Sequence, residues 1–472
     1  MMLLIAFGVA LLLCLLLASR YSPLKSLDVP NERSLHDRPT PHTGGVAIIL
    51  AVFITWLVQA LLYGMPESMI WIAVSALLVA GVSFIDASEF LLKQSKQFLI
   101  HYEIGTATIG SIACCHMKDS SYNNPPYYYG GMFSKYCVKI RFINADGEIN
   151  TWTKEGDKEN FAALTSSHGL FGIIIEAAFT IEDLSLCHVT HHLTTWDGLK
   201  EYTKSPYCEP FFYYGIPFKN IVLLEFRKKV PMSLSSTIRR SRFFTLRNRL
   251  WKKTLPLLSV YIQAFLPVPK KIHYRLIDSI CAISYYAIAY IFKDFYCYPH
   301  DQVIFYPSKS SLWSGKYIFN YSCISKDKFP AFLDNVLTFQ KNHYNETGQR
   351  VDIGQVGYFI KKDRKDETTL LSYSRHTDQI SIDLIDTTKD KEKILNIYEK
   401  LLKNLKDTNA NAHVLFNQTW GTEKIHLFGT YDIEAFKEKR EEIDPENRFY
   451  TKYFKKLFDK TWDSVNTVRH GT

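Results

Sequence analysis

Apolar residues are distributed along the chain in two regimes. Residues 1–18, 47–62 and 69–85 are three nearly unbroken apolar runs, each close to the roughly 20 residues that span a bilayer. Their repetition argues against a cleaved signal peptide and predicts three membrane helices. A polar stretch at 89–97 then gives way to short alternations punctuated by turn residues. That change of period predicts a domain boundary there.

In the second regime Val138, Ile140 and Phe142 alternate with polar or basic neighbours, and the turn residues Asn144, Asp146 and Gly147 lead into a second alternating stretch, 148–153. This predicts a β-hairpin turning at Asp146 and Gly147. Residues 158–167 fit a helix, and Gly169 and Gly172 punctuate the entry to a buried strand ending near 180. From 184 to 426 apolar and polar segments alternate with few glycines, which predicts an α+β domain on an antiparallel sheet, with paired strands over 211–225. Residues 272–292 are apolar but carry Arg275 and Asp278, so a buried or interfacial helix fits better than a fourth membrane span. Near the end, 432–440 and 450–458 read as helices separated by a break at Asp444 and Pro445.

A chain of 472 residues is too long for one ordinary core and predicts two or three domains. The net charge of +9 is uneven: ten Lys or Arg crowd between Arg227 and Lys253. Such a patch beside apolar helices suits an anionic lipid surface, and equally a solvated cationic face. No nucleic-acid reader motif accompanies it, so nucleic acid is not an expected partner. The nine cysteines lack paired metal spacing, which predicts a reducing compartment and no metal site. Arg20, Lys25, Arg33 and Arg38 lie between the first two apolar runs, whereas 63–68 holds no Lys or Arg. The positive-inside rule then places the basic loop, and everything after Asp86, in the cytoplasm, for a multi-pass protein of a bacterial-type inner membrane.

The loop 28–45, running from Asp28 through Pro30, Arg33, His36, Arg38, Pro39 and Pro41 to Gly44 and Gly45, resembles the first cytoplasmic loop of the polyprenyl-phosphate N-acetylhexosamine-1-phosphate transferases. In that family a pair of aspartates follows at a helix end. Here the place reads Ser83, Phe84, Ile85, Asp86, with one carboxylate only, and Mg²⁺ needs more oxygen ligands than that. Residues 1–90 are therefore expected to anchor rather than to transfer sugar phosphate.

Four further pieces occur in order: the small-residue stretch 108–113, the turn 145–147, residues 161–163, and 169–174. Together they resemble the second half of the flavin domain of FAD-linked oxidases of the vanillyl-alcohol-oxidase and para-cresol-methylhydroxylase (PCMH) type. The resemblance implies an α+β flavin-binding oxidoreductase: an incomplete PCMH-type FAD domain at 97–184, an antiparallel-sheet substrate domain at 185–426, a return segment at 427–459 and a tail at 460–472. It further implies FAD as cofactor, with Gly110, Ser111, Ala113, His116, Gly172, Ile173 and Ile174 in contact with it. Gly169 and Gly172 equally suit a plain tight connection, and Ile173 and Ile174 ordinary core. The run 443–449, Ile-Asp-Pro-Glu-Asn-Arg-Phe, resembles the closing motif of related oxidases, where the chain returns to the flavin domain. His413 falls where those enzymes often carry a histidine facing the flavin, and it is the candidate for orienting a substrate hydroxyl. The implied reaction oxidises a hydroxyl-bearing small molecule such as a polyol, sugar lactone or lipid-linked sugar. Oxygen or a quinone would accept the electrons, and membrane lipid is a further partner. The competing reading is an inactive fusion of two truncated proteins.

Overall fold

The computed structural model describes residues 27–28, 40–41, 81–100, 102, 104–115, 118–122, 129–232, 243–249, 269–302, 318–352, 354–362, 369–372, 374, 377–386, 396–397, 400–401, 404, 413–414, 433–451 and 454–455. The apolar runs 1–18 and 47–62, most of 69–85, and His116 lie outside them. Among the described residues no helix is long and apolar enough to cross a membrane.

The end of the third apolar run is described. Ser83 caps helix α1 (Phe84–Lys93), its hydroxyl accepting from the Asp86 amide, and Asp86 occupies the first turn, where the helix field favours an anion. Phe84 is fully buried and stacks on Phe98, with Phe133 edge-on to both. Burying such a ring contributes roughly 2–3 kcal/mol. The polar stretch 89–97 is thus the second half of α1 running into strand β1 (Lys96–Phe98), and not a bare join. Its polarity belongs to the outer face of an amphipathic helix.

A small unit follows: α2 (Ile109–Cys114), a hairpin of β2 (Lys118–Tyr122) and β3 (Tyr129–Met132), then β4 (Cys137–Ile143), β5 (Ile149–Thr153), α3 (Lys158–Leu164), β6 (Ile173–Phe179) and β7 (Ile181–Asp183). The expected hairpin is β4 with β5, antiparallel. Its turn is closed by the Asn144 side-chain oxygen, which accepts from the amides of Asp146 and Glu148. Strand β6 pairs with the other edge of β4, giving the order β5-β4-β6, while β7 pairs with β1.

The larger unit holds β8 (Leu186–Thr194), α4 (Trp196–Lys204), β9 (Phe212–Ile216), β10 (Ile221–Val230), α5 (Phe243–Arg249), α6 (Lys270–Ile291), β11 (Asp294–Cys297), β12 (Ile318–Ser325), α7 (Phe329–Thr347), β13 (Gly354–Ile360), β14 (Gln379–Asp386) and β15 (His413–Val414). Helix α8 (Ile433–Ile443) closes the described chain. The strands form one antiparallel sheet in the order β11-β8-β10-β9-β13-β14-β12-β15, the expected architecture. Strand β10 sets its two faces. Val222 and Leu224 join Trp196 and Leu199 of α4 and Phe329, Phe332 and Leu333 of α7 in one core. The alternate residues Leu223, Glu225, Arg227 and Lys229 point the other way, as the period of two requires. There Cys187 and Val189 of the neighbouring β8 pack on Ile109, Ile112 and Phe133 of the small unit. The two units meet across this second face, and Ala113, Phe142 and Phe161 of the small unit belong to the first core as well.

Helix α6 is tied to the larger unit by charge. Asp278 takes both terminal nitrogens of Arg350 at 2.6 Å each, and that guanidinium lies 4.2 Å from the Phe218 ring centroid and 4.7 Å from that of Tyr274. Both partners are buried. The stretch is a helix, as expected, held to the protein along one side by Asp278.

Candidate functional site

The two glycine-bearing stretches singled out in the sequence are brought together. Thr108 caps α2, its hydroxyl oxygen accepting from the Ser111 amide at 3.3 Å, while the Ser111 hydroxyl donates back to the Thr108 carbonyl at 2.8 Å. At the other end of α2 the Cys114 carbonyl accepts from the His168 amide at 2.9 Å. That bond joins α2 to the turn between α3 and β6. In this turn the hydroxyls of Thr165 and Ser166 fold back on the last carbonyls of α3. His168 and Gly169 then reverse the chain through left-handed backbone, with φ of +52° and +82°. Helix α3 accordingly stops at Leu164, earlier than the 167 expected from its pattern.

The candidate cofactor residues divide into three groups. Gly110 and Ala113 are buried, Ala113 within the main core. Ser111 is half-buried with its hydroxyl held by its own helix. Gly172 is buried, and a Cβ there would lie 2.2 Å from the Ile143 carbonyl oxygen. Strand pairing therefore accounts for this glycine without any cofactor. Ile173 is largely exposed at the start of β6, and Ile174 packs against the core. Gly169 has open space beside it: nothing lies within 4 Å of where a Cβ would stand, as at Gly147 in the β4–β5 turn, while its amide donates to the Ser167 hydroxyl at 3.4 Å. A bulky group can approach the peptide there. Burial and the neighbouring Cys115 sulfur, 4.0 Å away, act together at Cys114, the sulfur contact foremost, to push its thiol well above the ordinary range. It is not an activated nucleophile.

Sequence reasoning missed a buried charged cluster on the inward face of the large sheet. Glu225 accepts from Arg227 Nε at 2.6 Å through one carboxylate oxygen and lies 2.9 Å from His191 Nε2 through the other. The second ring nitrogen of His191 is 2.8 Å from the Phe292 carbonyl oxygen. Arg247 of α5 donates to the Gln302 carbonyl and sits 4.3 Å over the Phe244 ring. Burial would raise the Glu225 carboxyl; Arg227, the bond to His191 and Arg247 outweigh it and hold the group well below the usual carboxylate range. Further along the same face, Lys229 reaches out of the large sheet to the Leu99 carbonyl and Glu182 of the small unit. Burial pushes its ammonium down against the opposing pull of Glu182. The signal was present in the sequence as charges at alternate positions, 225, 227 and 229, of a strand that is apolar elsewhere except at Lys228.

His413 lies in β15, paired with Cys323 of β12 at the edge of the sheet, away from α2 in strand order. The closing motif does return to the small unit. The Asp444 carboxylate accepts from the amides of Arg448 and Phe449 at 2.8 Å each, forming a compact turn. From that turn Arg448 donates to the carbonyl of Ala145, in the β4–β5 hairpin.

No protein-family model matches the chain, and no curated protein matches its sequence. Solved structures do match. A cholesterol oxidase from B. sterolicum is 12% identical with a TM-score of 0.60, the match covering 80% of each chain. A solvent-stable cholesterol oxidase is 13% identical at a TM-score of 0.60, over 80% of this chain and 81% of that one. A histidine-to-alanine mutant of the Brevibacterium sterolicum enzyme is 11% identical at 0.61, over 80% of each. At such identities the likeness is one of fold: over four-fifths of the chain the mixed α/β architecture resembles that of these oxidases. These matches lend no support to the transferase resemblance of loop 28–45.

Proposed function

We propose that this chain is an FAD-dependent oxidoreductase acting on the hydroxyl of a small molecule. The observation that carries the reading is the shared fold with enzymes named for oxidising cholesterol, itself an alcohol, over 80% of both chains. The open space at Gly169, in a turn bonded through His168 to α2, leaves room for a cofactor against the small unit. When bound, FAD would supply the hydride acceptor that no amino-acid side chain can provide. The chain's own tasks are to hold the hydroxyl-bearing carbon against the cofactor, to exclude water and to receive the hydroxyl proton; His413, the candidate for the last task from the sequence, lies at the sheet edge remote from α2. A polyol, sugar lactone or lipid-linked sugar would meet these needs, and the oxidase names favour oxygen over a quinone as the electron acceptor. The three apolar runs and the basic loop between them support a place at a cytoplasmic membrane, with the oxidoreductase units on the cytoplasmic side.

The test is the visible absorption spectrum of the detergent-purified full-length chain, before and after adding FAD and removing the excess. Flavin bands that stay with the protein are expected. Persistent absence of bound flavin would sink the oxidase reading in favour of a chain without catalysis.

A further inference from the structure

Helix α6 presents an uncovered apolar stripe. Ile272, Leu276, Ile283, Tyr286 and Tyr290 are all exposed, Ile283 at 69% and Tyr290 at 77%. At 100° per residue these five fall within an arc of about 80°, along about 27 Å of helix. Single exposed apolar residues are ordinary, but a continuous stripe of this length marks a contact surface. The opposite side of the helix is committed to the protein through Asp278, Tyr285 and Ala289, with Asp278 in its bidentate pair with Arg350. The stripe cannot turn inward without breaking that pair.

The surrounding charge identifies the occupant. Between Glu225 and Asp278 the sequence holds thirteen Lys or Arg and no Asp or Glu. That exceeds the net charge of +9 for the whole chain, so the remainder is net negative; of the thirteen, Lys228, Lys271 and Arg275 are exposed in the described structure, while Arg227, Lys229 and Arg247 are buried. Within α6 itself Lys271 and Arg275 are exposed beside the stripe, Lys293 is exposed just beyond its end, and the helix's one acid is buried. An apolar face flanked by cations and carrying tyrosines is the pattern of a helix lying in the plane of an anionic bilayer surface. A solvated cationic face leaves the apolar stripe unexplained. A second copy of this chain would bring like charges together, which disfavours a symmetric dimer through the same surface. We infer that α6 is an in-plane docking helix for anionic lipid, distinct from any anchor at the amino terminus.

The test must read the stripe itself, since an amino-terminal anchor alone would carry the chain to vesicles. In the full-length chain, Ile283 is replaced by the photo-crosslinker p-benzoylphenylalanine, and in a second sample Tyr207, an exposed tyrosine outside the stripe, is replaced in the same way. Each is irradiated with vesicles of phosphatidylcholine alone or with 30% phosphatidylserine, and adducts are identified by mass. Lipid adducts are expected at position 283 and not at 207, with a higher yield on the phosphatidylserine vesicles. Lys271→Gln and Arg275→Gln should each lower the yield about fivefold, the weight of one near-surface charge. Adducts at 283 to a second copy of the chain, adducts to the chain's own residues, no adduct, or a yield equal to that at 207 would each overturn the inference.

Discussion

Gly169 and Gly172 stand three residues apart, yet the structure gives them different duties. At Gly172 a side chain would strike the Ile143 carbonyl at 2.2 Å, and the φ of +148° is one that L residues rarely adopt. At Gly169 the space is open and only the left-handed φ of +82° opposes a side chain. Gly172→Ala should therefore cost about 2–3 kcal/mol of stability, and Gly169→Ala about 1 kcal/mol. If FAD lies in the open space at Gly169, the order reverses for the cofactor: Gly169→Ala should lose bound flavin while retaining most of its thermal stability. Melting temperature and flavin content, measured side by side, check both. The sequence made these glycines visible as special backbone positions. It could not separate their roles, because the atom that excludes a side chain from Gly172 belongs to β4, well back in the chain, and is supplied only by the β4–β6 register. Ala113 shows the limit from the other side. Its small size suits close cofactor approach, but the structure spends it on the core.

Strand β10 and helix α6 carry the buried charges, and each yields a prediction. Glu225 is satisfied by Arg227 and His191 on the inward face. Glu225→Gln leaves those groups short of their counter-charge, which should cost about 3–5 kcal/mol at neutral pH. Its carboxyl titrates lower in the folded chain than in the unfolded one, near about 4.3. The stabilisation is thus present above the carboxylate range and lost as pH falls through the folded value. The gap between wild type and Glu225→Gln in urea midpoint should accordingly narrow on going from pH 7 to pH 3. On α6, Asp278→Asn strands Arg350 among Phe218, Tyr274 and Tyr344 and should cost a similar about 3–5 kcal/mol, whereas replacing Asp278 and Arg350 together by Met should recover most of it. Denaturant melts of the single and double variants decide this. The element-level reading of α6 was legible: Arg275 and Asp278 in an apolar stretch argued against a membrane span. The partner of Asp278 was not, since Arg350 lies beyond two further strands and a helix and no periodicity links them. For β10 the alternation of charges was visible, but which face it would occupy depended on α4 and α7 claiming the other.

At the scale of the whole molecule the hairpin, the paired strands over 211–225 and the antiparallel α+β character were legible in the sequence, but the strand order was not. Strand β11, for example, joins the sheet edge beside β8 after 99 intervening residues, and short apolar alternations do not encode such pairings. The assembled fold nonetheless makes a global property calculable, because its thiols are buried in separate places. Cys137 lies in β4 of the small unit and Cys208 between α4 and β9 of the larger one, 0% and 7% exposed. Burial pushes both thiols up to about 12 from an ordinary 9.0. A folded value raised in this way means that the stabilisation is complete below pH 9 and is lost as pH rises from there toward 12, because the unfolded chain ionises first. Between pH 8 and pH 10 each thiol should remove about 1 kcal/mol from the unfolding free energy. Lysines and tyrosines titrate over the same range, so the decisive comparison is with a variant carrying Cys137→Ala and Cys208→Ala. That variant starts less stable, through lost packing, but its urea midpoint should fall less steeply between pH 8 and pH 10 than that of the wild type. Equal slopes would mean that water reaches these sulfurs, and that the junction between the units is looser than the packing of Cys137 on the core implies.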